Sequence, residues 1–385
     1  MSSRASINLT AVIWIDWYSY HISRFRALCE HPPLKGRVAG IELVGGCGVH
    51  QGLRFREPER EGLPISILFP EADWHNIGQL ELAKAVWRGL ERLQPSSVLV
   101  PGWATAPALA AAVWAKVHGK RSILMSETTA GDHRRMWWKE LPKRQLIRLL
   151  FDFAIAGGKP HARYLIELGL SPGRIARYYD VIDNRFYQEE TDRARAIPES
   201  RQAADLPERY FLYVGRLAAE KNVSAFLRAF ARYRAMGGTW SLVLVGDGPE
   251  RQALERQSRD SGIRGEVRFA GLKTTRETIL YYAFAGCFVL PSTREPWGLV
   301  VNEAMASGLP VIVSNRCGCA EDLVEPGGNG HLFDPASEAE LAQRMLSVSQ
   351  SSETIIREMG RRSREIVAGY SPAHWAAEVA RVAQA

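Results

Sequence analysis

The chain has 385 residues, enough for two domains, and its 46% hydrophobic and 24% charged residues are the composition of a soluble globular protein. Its apolar runs stay below the roughly 18 residues of a membrane-spanning helix, which argues against a membrane-embedded protein. Most of the net charge of +7 lies in the N-terminal half, which fits ordinary solubility charge or contact with an anionic acceptor or membrane surface.

The five cysteines are few and odd in number, which predicts a reduced, cytoplasmic protein. Cys317 and Cys319 could form half of a metal site, but the sequence offers no second Cys/His pair, so two loop thiols is the favoured interpretation. The first residues, MSSRASINLTAVIWIDWY, predict a strand rather than a secretion signal, because Asp16 interrupts the apolar run.

Short apolar runs alternate with amphipathic stretches up to about residue 185. The predicted strands cover residues 7–15, 38–44, 65–69, 98–100, 122–126, 153–156 and 175–181. The predicted helices cover residues 19–30, 77–93, 106–118, 139–150 and 160–168. Repeated strand–helix units predict a parallel sheet with helices on both faces.

A polar segment, residues 189–209, separates this series from a second one and is predicted to be a linker. The strands of the second series are predicted at residues 211–214, 241–245, 267–269, 288–290 and 311–313. We therefore predict an α/β protein with two Rossmann-like doubly wound domains, residues 1–188 and 210–370.

The stretch PSTREPWGLVVNEAMASGLPVIVS, residues 291–314, predicts a loop, a helix and a strand after a buried strand. Glu295 falls in the loop, and Glu303 falls about one turn into the helix. The helix N-terminus near Gly298 offers unpaired N–H groups and the positive end of a dipole. A phosphate on this helix end and hydroxyl groups on the two glutamates would fit the pattern.

A second motif, GRLAAEKN, follows a predicted strand and opens a helix. Gly215 would allow close approach of a ligand to the backbone, and Arg216 and Lys221 add two cations. Such a place fits a diphosphate, although a solvated loop with two surface cations would have the same sequence pattern. The turn GDGPE, from Gly246, follows the next strand.

Two glutamates separated by seven residues occur in EPWGLVVNEAMASGLPV. Together with GRLAAEKN, this motif resembles those of retaining nucleotide-sugar glycosyltransferases of the GT-B type, family 4 (glycosyl transferase group 1). The resemblance spans nearly the whole chain, including CGCAEDLVEPGGNGHLFDP and FDFAIAGGKPHARYLIELGL. It implies two Rossmann-like domains that face a cleft, with the acceptor side in the N-terminal domain. It also implies that the final helix, residues 371–385, packs on that domain.

The resemblance also implies roles for individual residues at the donor site. It places Arg216 and Lys221 on the donor diphosphate, Glu303 on the ribose hydroxyls and Glu295 beside the transferred sugar. The remaining donor-binding positions that it implies are backbone or loop positions: Gly215, Gly246, Gly298, Leu299 and Val300.

The N-terminal domain departs from the family pattern, because no Gly-rich loop follows its first strand. Tyr20 and His21 stand there instead, and His21 could bond a donor phosphate or an acceptor hydroxyl, or be structural. The stretch SETTAGDHRRMWWKELPKR resembles a subgroup of the family. Its candidates for binding the acceptor or polarising its hydroxyl, which could equally form structural ion pairs, are Glu127, Asp132, His133, Arg135 and Lys139.

The expected reaction is metal-independent and retaining transfer of a sugar from a nucleotide diphosphate sugar to a hydroxyl group. No Asp-x-Asp motif is present, so neither a divalent metal nor another cofactor is expected. UDP is favoured because it is common in the family, and the acceptor could be a glycan, a lipid-linked sugar or a small molecule. Nucleic acid is not an expected partner, whereas peripheral contact with the inner membrane surface is left open. The alternatives are a nucleotide-sugar epimerase or hydrolase and a non-catalytic nucleotide-sugar-binding protein.

Overall fold

The computed structural model describes residues 8–46, 60–131, 137–197, 199–203 and 205–385. The strands in these ranges are β1 Thr10–Trp14, β2 Val38–Val44, β3 Ile65–Phe69, β4 Ser97–Pro101, β5 Arg121–Ser126, β6 Phe153–Ala156, β7 Ile175–Ala176, β8 Tyr210–Val214, β9 Ser241–Val245, β10 Val267–Gly271, β11 Cys287–Leu290, β12 Val311–Ser314 and β13 Gly330–Phe333.

The α-helices in the same ranges are α1 Ser19–Glu30, α2 Gln79–Leu93, α3 Ala106–Val117, α4 Trp137–Leu150, α5 Lys159–Glu167, α6 Asn184–Arg195, α7 Glu199–Ala203, α8 Val223–Ala235, α9 Arg251–Asp260, α10 Thr275–Phe284, α11 Leu299–Ala306, α12 Ala320–Leu323, α13 Glu338–Ser349, α14 Glu353–Ala368 and α15 Pro372–Gln384. Of these helices, none combines the length and the apolar character needed to cross a bilayer.

The chain folds into two compact units. Unit 1 comprises the described residues up to Ile182 together with Tyr370–Ala385, and unit 2 is Asp183–Gly369. The boundaries differ from the predicted linker at 189–209, because the polar segment contains the second half of α6 and the whole of α7, which belong to unit 2. Helix α6 buries a narrow stripe of Tyr187, Thr191 and Ala194, which is too sparse to give a clear helical pattern in the sequence.

Unit 1 is built on a parallel sheet in the order β3-β2-β1-β4-β5-β6-β7. Successive side chains of a strand point to opposite faces, and β1 shows this directly. Ala11 and Ile13 join a core that includes α2, α3 and α5, whereas Val12 and Trp14 join a second core with α1 and α15. Both faces of the sheet are therefore covered, as predicted for a doubly wound fold.

Unit 2 has a parallel sheet in the order β10-β9-β8-β11-β12-β13. The central strands β11 and β12 are buried along their whole length, which explains their uninterrupted apolar sequences. Strand β13, Gly330–Phe333, closes one edge by pairing with β12 from Val311↔Gly330 onward. The sequence does not predict this strand, because GHLF is short and begins with glycine.

Candidate functional site

The unit 2 sheet contains a point where the strand order reverses. From β8 the chain continues outward through β9 and β10, and then places β11, β12 and β13 on the other side of β8. Ligands of open parallel sheets bind beyond the carboxyl ends of the strands at such a point. The loops that follow β8 and β11, residues 215–222 and 291–298, lie side by side there, so the two sequence motifs adjoin.

An ion pair joins these two loops. The Lys221 ammonium group contacts Glu295 Oε2, and the two side chains are only 21% and 11% exposed. Ser292 Oγ donates a second hydrogen bond of 3.1 Å to the same carboxylate oxygen. A partly buried ion pair retains much of its electrostatic strength, so the carboxylate fixes the position of a cation that can face a phosphate.

Two glycine turns bring the loops after β8 and β9 into backbone contact. A Cβ atom on Gly246 would overlap the carbonyl oxygen of Gly215, and both glycines have positive φ angles, +132° and +156°. Gly215 N donates to Val245 O at 3.0 Å. The side chain of Arg216 next to this turn is exposed, so its guanidinium group is accessible to a ligand.

Asn222 is a structural residue of this site that sequence reasoning did not single out. It adopts the left-handed conformation, with φ of +58°, where GRLAAEKN ends. Its Nδ2 donates to Pro291 O and Pro335 O, each at 3.1 Å. Asparagine tolerates the left-handed conformation better than most residues. An asparagine between the motif and α8 was therefore the sequence feature that could have indicated this structural role.

The N-terminus of α11 points its unbonded amide groups out of the helix at the same edge. Gly298 precedes the helix with φ of +104°. It packs closely against Leu290, because an added Cβ would lie 3.0 Å from Leu290 Cδ2. The first amides of a helix, here including those of Leu299 and Val300, lack acceptors within the helix. These amides and the positive dipole end favour an anion.

Glu303 lies about one turn further along α11, among hydroxyl groups. Tyr282 Oη donates to Glu303 Oε2 at 2.8 Å, and Tyr187 hydrogen-bonds to the same carboxyl group. Burial raises the pKa of Glu303 to about 7, although both tyrosine hydrogen bonds act to lower it. This carboxyl group is therefore adapted to accept hydrogen bonds from hydroxyl groups, and the two tyrosines come from α10 and α6, far away in sequence.

The loop after β12 supports the loop that carries Glu295. Gly318 N donates to Glu295 O at 3.0 Å, and Cys319 N donates to Trp297 O at 3.2 Å. Burial raises the pKa of the Cys317 thiol, which favours its neutral form. No cluster of three or more His, Cys, Asp or Glu side chains suited to a metal occurs in the described ranges.

In unit 1, Glu127 stands directly after β5 and is hydrogen-bonded to the buried carboxyl group of Asp180. Burial raises the pKa of Asp180 well above its usual range, and the nearby charge of Glu127 raises it further. The raised pKa keeps Asp180 protonated, so its carboxyl group can donate a hydrogen bond towards Glu127. Asp180 was not predicted, since it follows β7 and only the sheet order brings it near β5.

A buried arginine completes this cluster. The guanidinium group of Arg24 lies over the rings of Tyr20 and Tyr179, at 5.2 Å and 4.7 Å from their centroids. Its Nε donates to Val181 O at 3.3 Å, whereas Nη1 and Nη2 have no hydrogen-bond partner among the described residues. The positive charge acts to lower the pKa of Asp180 against the larger effect of burial.

His21 lies in the first turn of α1. Its Nδ1 accepts a hydrogen bond of 3.2 Å from Tyr18 N, its ring stacks on Trp14 at 4.7 Å, and it also hydrogen-bonds to the Asp16 backbone. Burial and then the charge of Arg24 hold the pKa of His21 well below its usual range. The neutral ring thus caps the helix, and its predicted catalytic role stays a prediction. Tyr20 packs beside it at a centroid distance of 4.6 Å.

Three other predicted acceptor-side residues lie outside the described residues: Asp132, His133 and Arg135. Lys139 falls within α4, but its side chain is also outside the described part of the chain. Their roles stay predictions.

Comparison with known proteins identifies the class to which this site is similar. Residues 196–365 match the family model described as glycosyl transferases group 1. A 2-deoxystreptamine N-acetyl-D-glucosaminyltransferase of Niallia circulans is 28% identical over 162 residues, 42% of this chain and 41% of that protein. An alpha-monoglucosyldiacylglycerol synthase of Streptococcus pneumoniae is 40% identical over 105 residues, 27% of this chain and 24% of that protein. The matched segment therefore spans less than half the length of these relatives.

Solved structures resemble the chain over nearly its full length. Anabaena HepE in complex with UDP has a TM-score of 0.73 and 17% identity, covering 97% of this chain and 98% of that one. A glycosyltransferase from Rickettsia africae has a TM-score of 0.75 and 13% identity, covering 98% of each chain. At these identities the likeness concerns the fold. The two parallel sheets and these neighbours confirm the predicted GT-B fold of doubly wound Rossmann-like halves, and residues 196–365, which carry both sequence motifs, match the glycosyl transferases group 1.

Proposed function

We propose that this protein is a retaining glycosyltransferase that moves a sugar from a nucleotide diphosphate sugar, with UDP the favoured nucleotide, to a hydroxyl group of an acceptor. The observation that carries the proposal is the Lys221–Glu295 ion pair at the strand-order reversal of unit 2, beside the amide groups that open α11. The family match of residues 196–365 covers this site and supports the same class of reaction.

The geometry supports a division of tasks at the donor. Arg216 and Lys221 bind the diphosphate, together with the amides of Leu299 and Val300, and they stabilise its negative charge as the sugar departs. Glu303 accepts hydrogen bonds from the ribose hydroxyls in place of those from its tyrosines. No step requires a divalent metal, because cations of the protein balance the leaving group.

The acceptor hydroxyl attacks the anomeric carbon from the face that the diphosphate leaves, and the bond from that carbon to the phosphate oxygen breaks. The departing phosphate takes the hydroxyl proton. Because the attack occurs on the face that the phosphate leaves, the anomeric configuration is retained. Glu127 is proposed to orient the acceptor hydroxyl, since Asp180 fixes its carboxylate after β5. His21 is proposed to act by holding the start of α1 rather than by proton transfer.

The comparisons favour UDP as the nucleotide and keep several acceptor classes open. HepE has been solved with UDP and with UDP-glucose. The matching relatives include a 2-deoxystreptamine N-acetyl-D-glucosaminyltransferase and an alpha-monoglucosyldiacylglycerol synthase. We infer a cytoplasmic enzyme whose acceptor is a small molecule, a glycan or a lipid-linked sugar, reached in the last case by peripheral membrane contact.

The proposal is tested by thermal stabilisation with UDP, GDP, dTDP and ADP, each with and without magnesium. One nucleotide, expected to be UDP, should stabilise the protein without magnesium. Arg216→Ala and Glu303→Ala should each weaken its binding about tenfold, because each removes a side chain that hydrogen-bonds to the nucleotide. Arg256→Ala, an exposed arginine on α9, is the matched control and should bind as the wild type does.

Turnover of the matching nucleotide sugar then separates the classes of protein. Release of UDP from the sugar nucleotide that rises with an added acceptor mixture supports transfer, and retention is measured by NMR of the product anomer. Acceptor-independent conversion would identify an epimerase or hydrolase, and binding without turnover would identify a binding protein. Stabilisation by none of the nucleotides would overturn the donor site itself.

A further inference from the structure

A cavity of about 610 Å³ lies in unit 2 where the strands begin, at the opposite edge of the sheet from the candidate site. Its floor is the backbone that leads into β11 and β12, at residues 283–286 and 308–310. Helices α6, α7 and α14 supply its walls. Its volume is in the range of sites that hold small molecules.

The lining is strongly basic. Two lining carboxylates, Glu208 and Glu353, face a larger set of cations. The lining arginines are Arg195, Arg201, Arg209, Arg357, Arg361 and Arg364. A concave surface with this excess of one sign concentrates a positive potential and attracts anions.

Two of these arginines are structural. Arg195 donates to Ala283 O and Ser307 O, each at 2.7 Å, and Arg364 donates to Ala306 O at 3.2 Å. They thereby cap the carbonyl ends of α10 and α11. Asp192 lies behind them and accepts from both, at 3.0 Å and 2.6 Å. Burial and then the charge of Arg364 lower the pKa of Arg195, so the cations are crowded.

The arginines at the rim are held more loosely. Arg209 and Arg357 share one carboxylate, Glu353, at N–O distances of 3.9 Å and 4.0 Å, and their side chains are 44% and 72% exposed. Arg209 also lies over the Trp240 ring, 5.9 Å from its centroid. Arg361 pairs with Glu358 and Glu365, which do not line the cavity. Exposed pairs of this kind contribute little energy, so an incoming anion can replace them.

We propose that this cavity binds a phosphate-bearing anion of the size of a phosphorylated sugar or a lipid headgroup. The phosphate faces the rim arginines Arg209 and Arg357, because Arg195 and Arg364 already donate to carbonyl oxygens and to Asp192. A guanidinium group binds two phosphate oxygens through parallel N–H groups, so a cavity lined by arginines suits a phosphate better than an apolar ligand. Ile356 and Leu309 provide apolar lining for the rest of the ligand.

The test is calorimetric titration with inorganic pyrophosphate at low salt and again at about 0.15 M salt, where the Debye length is about 8 Å. The double variant Arg209→Ala/Arg357→Ala should weaken binding at least tenfold. The control Arg256→Ala should change nothing, and Arg216→Ala should remove only binding at the candidate donor site. Melting temperatures close to that of the wild type establish that the variants are folded.

A second set of measurements distinguishes a membrane source from a soluble one. Vesicles of phosphatidylcholine with phosphatidic acid are compared with pure phosphatidylcholine vesicles in a sedimentation assay. Binding to the acidic vesicles that is lost in Arg209→Ala/Arg357→Ala assigns the site to a lipid headgroup, and pyrophosphate binding lost in the same variant without vesicle binding assigns it to a soluble phosphate. Equal binding by this variant and the wild type in both assays, or pyrophosphate binding that only Arg216→Ala removes, would overturn the proposal.

Discussion

The two glutamates of the candidate site have different electrostatic environments. Glu295 faces the Lys221 cation, whereas the carboxyl group of Glu303 is surrounded by the tyrosine hydroxyls of Tyr282 and Tyr187. With the pKa of Glu303 raised to about 7 by burial, this group is partly protonated at neutral pH. The sequence spacing locates both carboxylates but cannot predict this difference, because Tyr282 and Tyr187 come from separate helices.

The raised pKa of Glu303 predicts a pH-dependent contribution to stability. The folded protein retains the proton up to about pH 7, while the unfolded chain releases it near 4.5. The folded state binds more protons in this window, so stability falls as pH rises through it. Relative to Glu303→Gln, which does not titrate, the wild type should lose up to about 3 kcal/mol between pH 4.5 and 7.5.

Chemical denaturation of both proteins across this pH range measures the difference directly, since the other titrating groups are common to both. A difference in the free energy of unfolding that stays constant with pH would show that Glu303 keeps an ordinary pKa.

At the scale of elements, α11 depends on how its first turn is formed. Gly298 has φ of +104°, a conformation that strains other residues, and an added Cβ would lie 3.0 Å from Leu290. Gly298→Ala should therefore cost about 1–3 kcal/mol of stability. Because the amides of Leu299 and Val300 would shift, UDP affinity should also fall about tenfold.

Gly327→Ala is the matched control for this prediction. Gly327 has φ of +79°, and an added Cβ would meet nothing within 4 Å. The control should lose stability by backbone strain and keep its UDP affinity, both measured by thermal denaturation with and without UDP. Equal affinity in the two variants would contradict a role of the α11 N-terminus in binding.

The elements differ in how well the sequence predicts them. The limits of β2, Val38–Val44, agree with the prediction, because the strand is apolar apart from Glu42 and is buried on both faces of a parallel sheet. Helix α6, Asn184–Arg195, lies mostly within the polar stretch and exposes most of its surface, so its sequence is hard to distinguish from a linker. Its position in unit 2 matters for the site, since it carries Tyr187 to Glu303.

At the scale of the whole molecule, each unit combines a sequence-local motif with a partner from far along the chain. In unit 1, Asp180 reaches Glu127 only through the order of β5, β6 and β7. Unit 1 also includes the C-terminal helix α15, whose Trp375 is fully buried 5.9 Å from the Trp14 ring. The sequence alone marks α15 as a terminal helix, and only its contacts assign it to unit 1.

The burial of Trp375 predicts that the last residues of the chain hold unit 1 together, although the proposed donor site is in unit 2. Trp375→Ala should lower the free energy of unfolding of unit 1 by about 3–5 kcal/mol, through the lost contacts and the cavity left behind. Ile355→Ala on α14, whose side chain is 52% exposed, is the control and should change stability by less than about 0.5 kcal/mol. Urea denaturation followed by tryptophan fluorescence measures both.

At low urea Trp375→Ala should still bind UDP, because unit 2 contains the binding loops and its own core. Loss of UDP binding in parallel with loss of stability would show that the two units unfold as one.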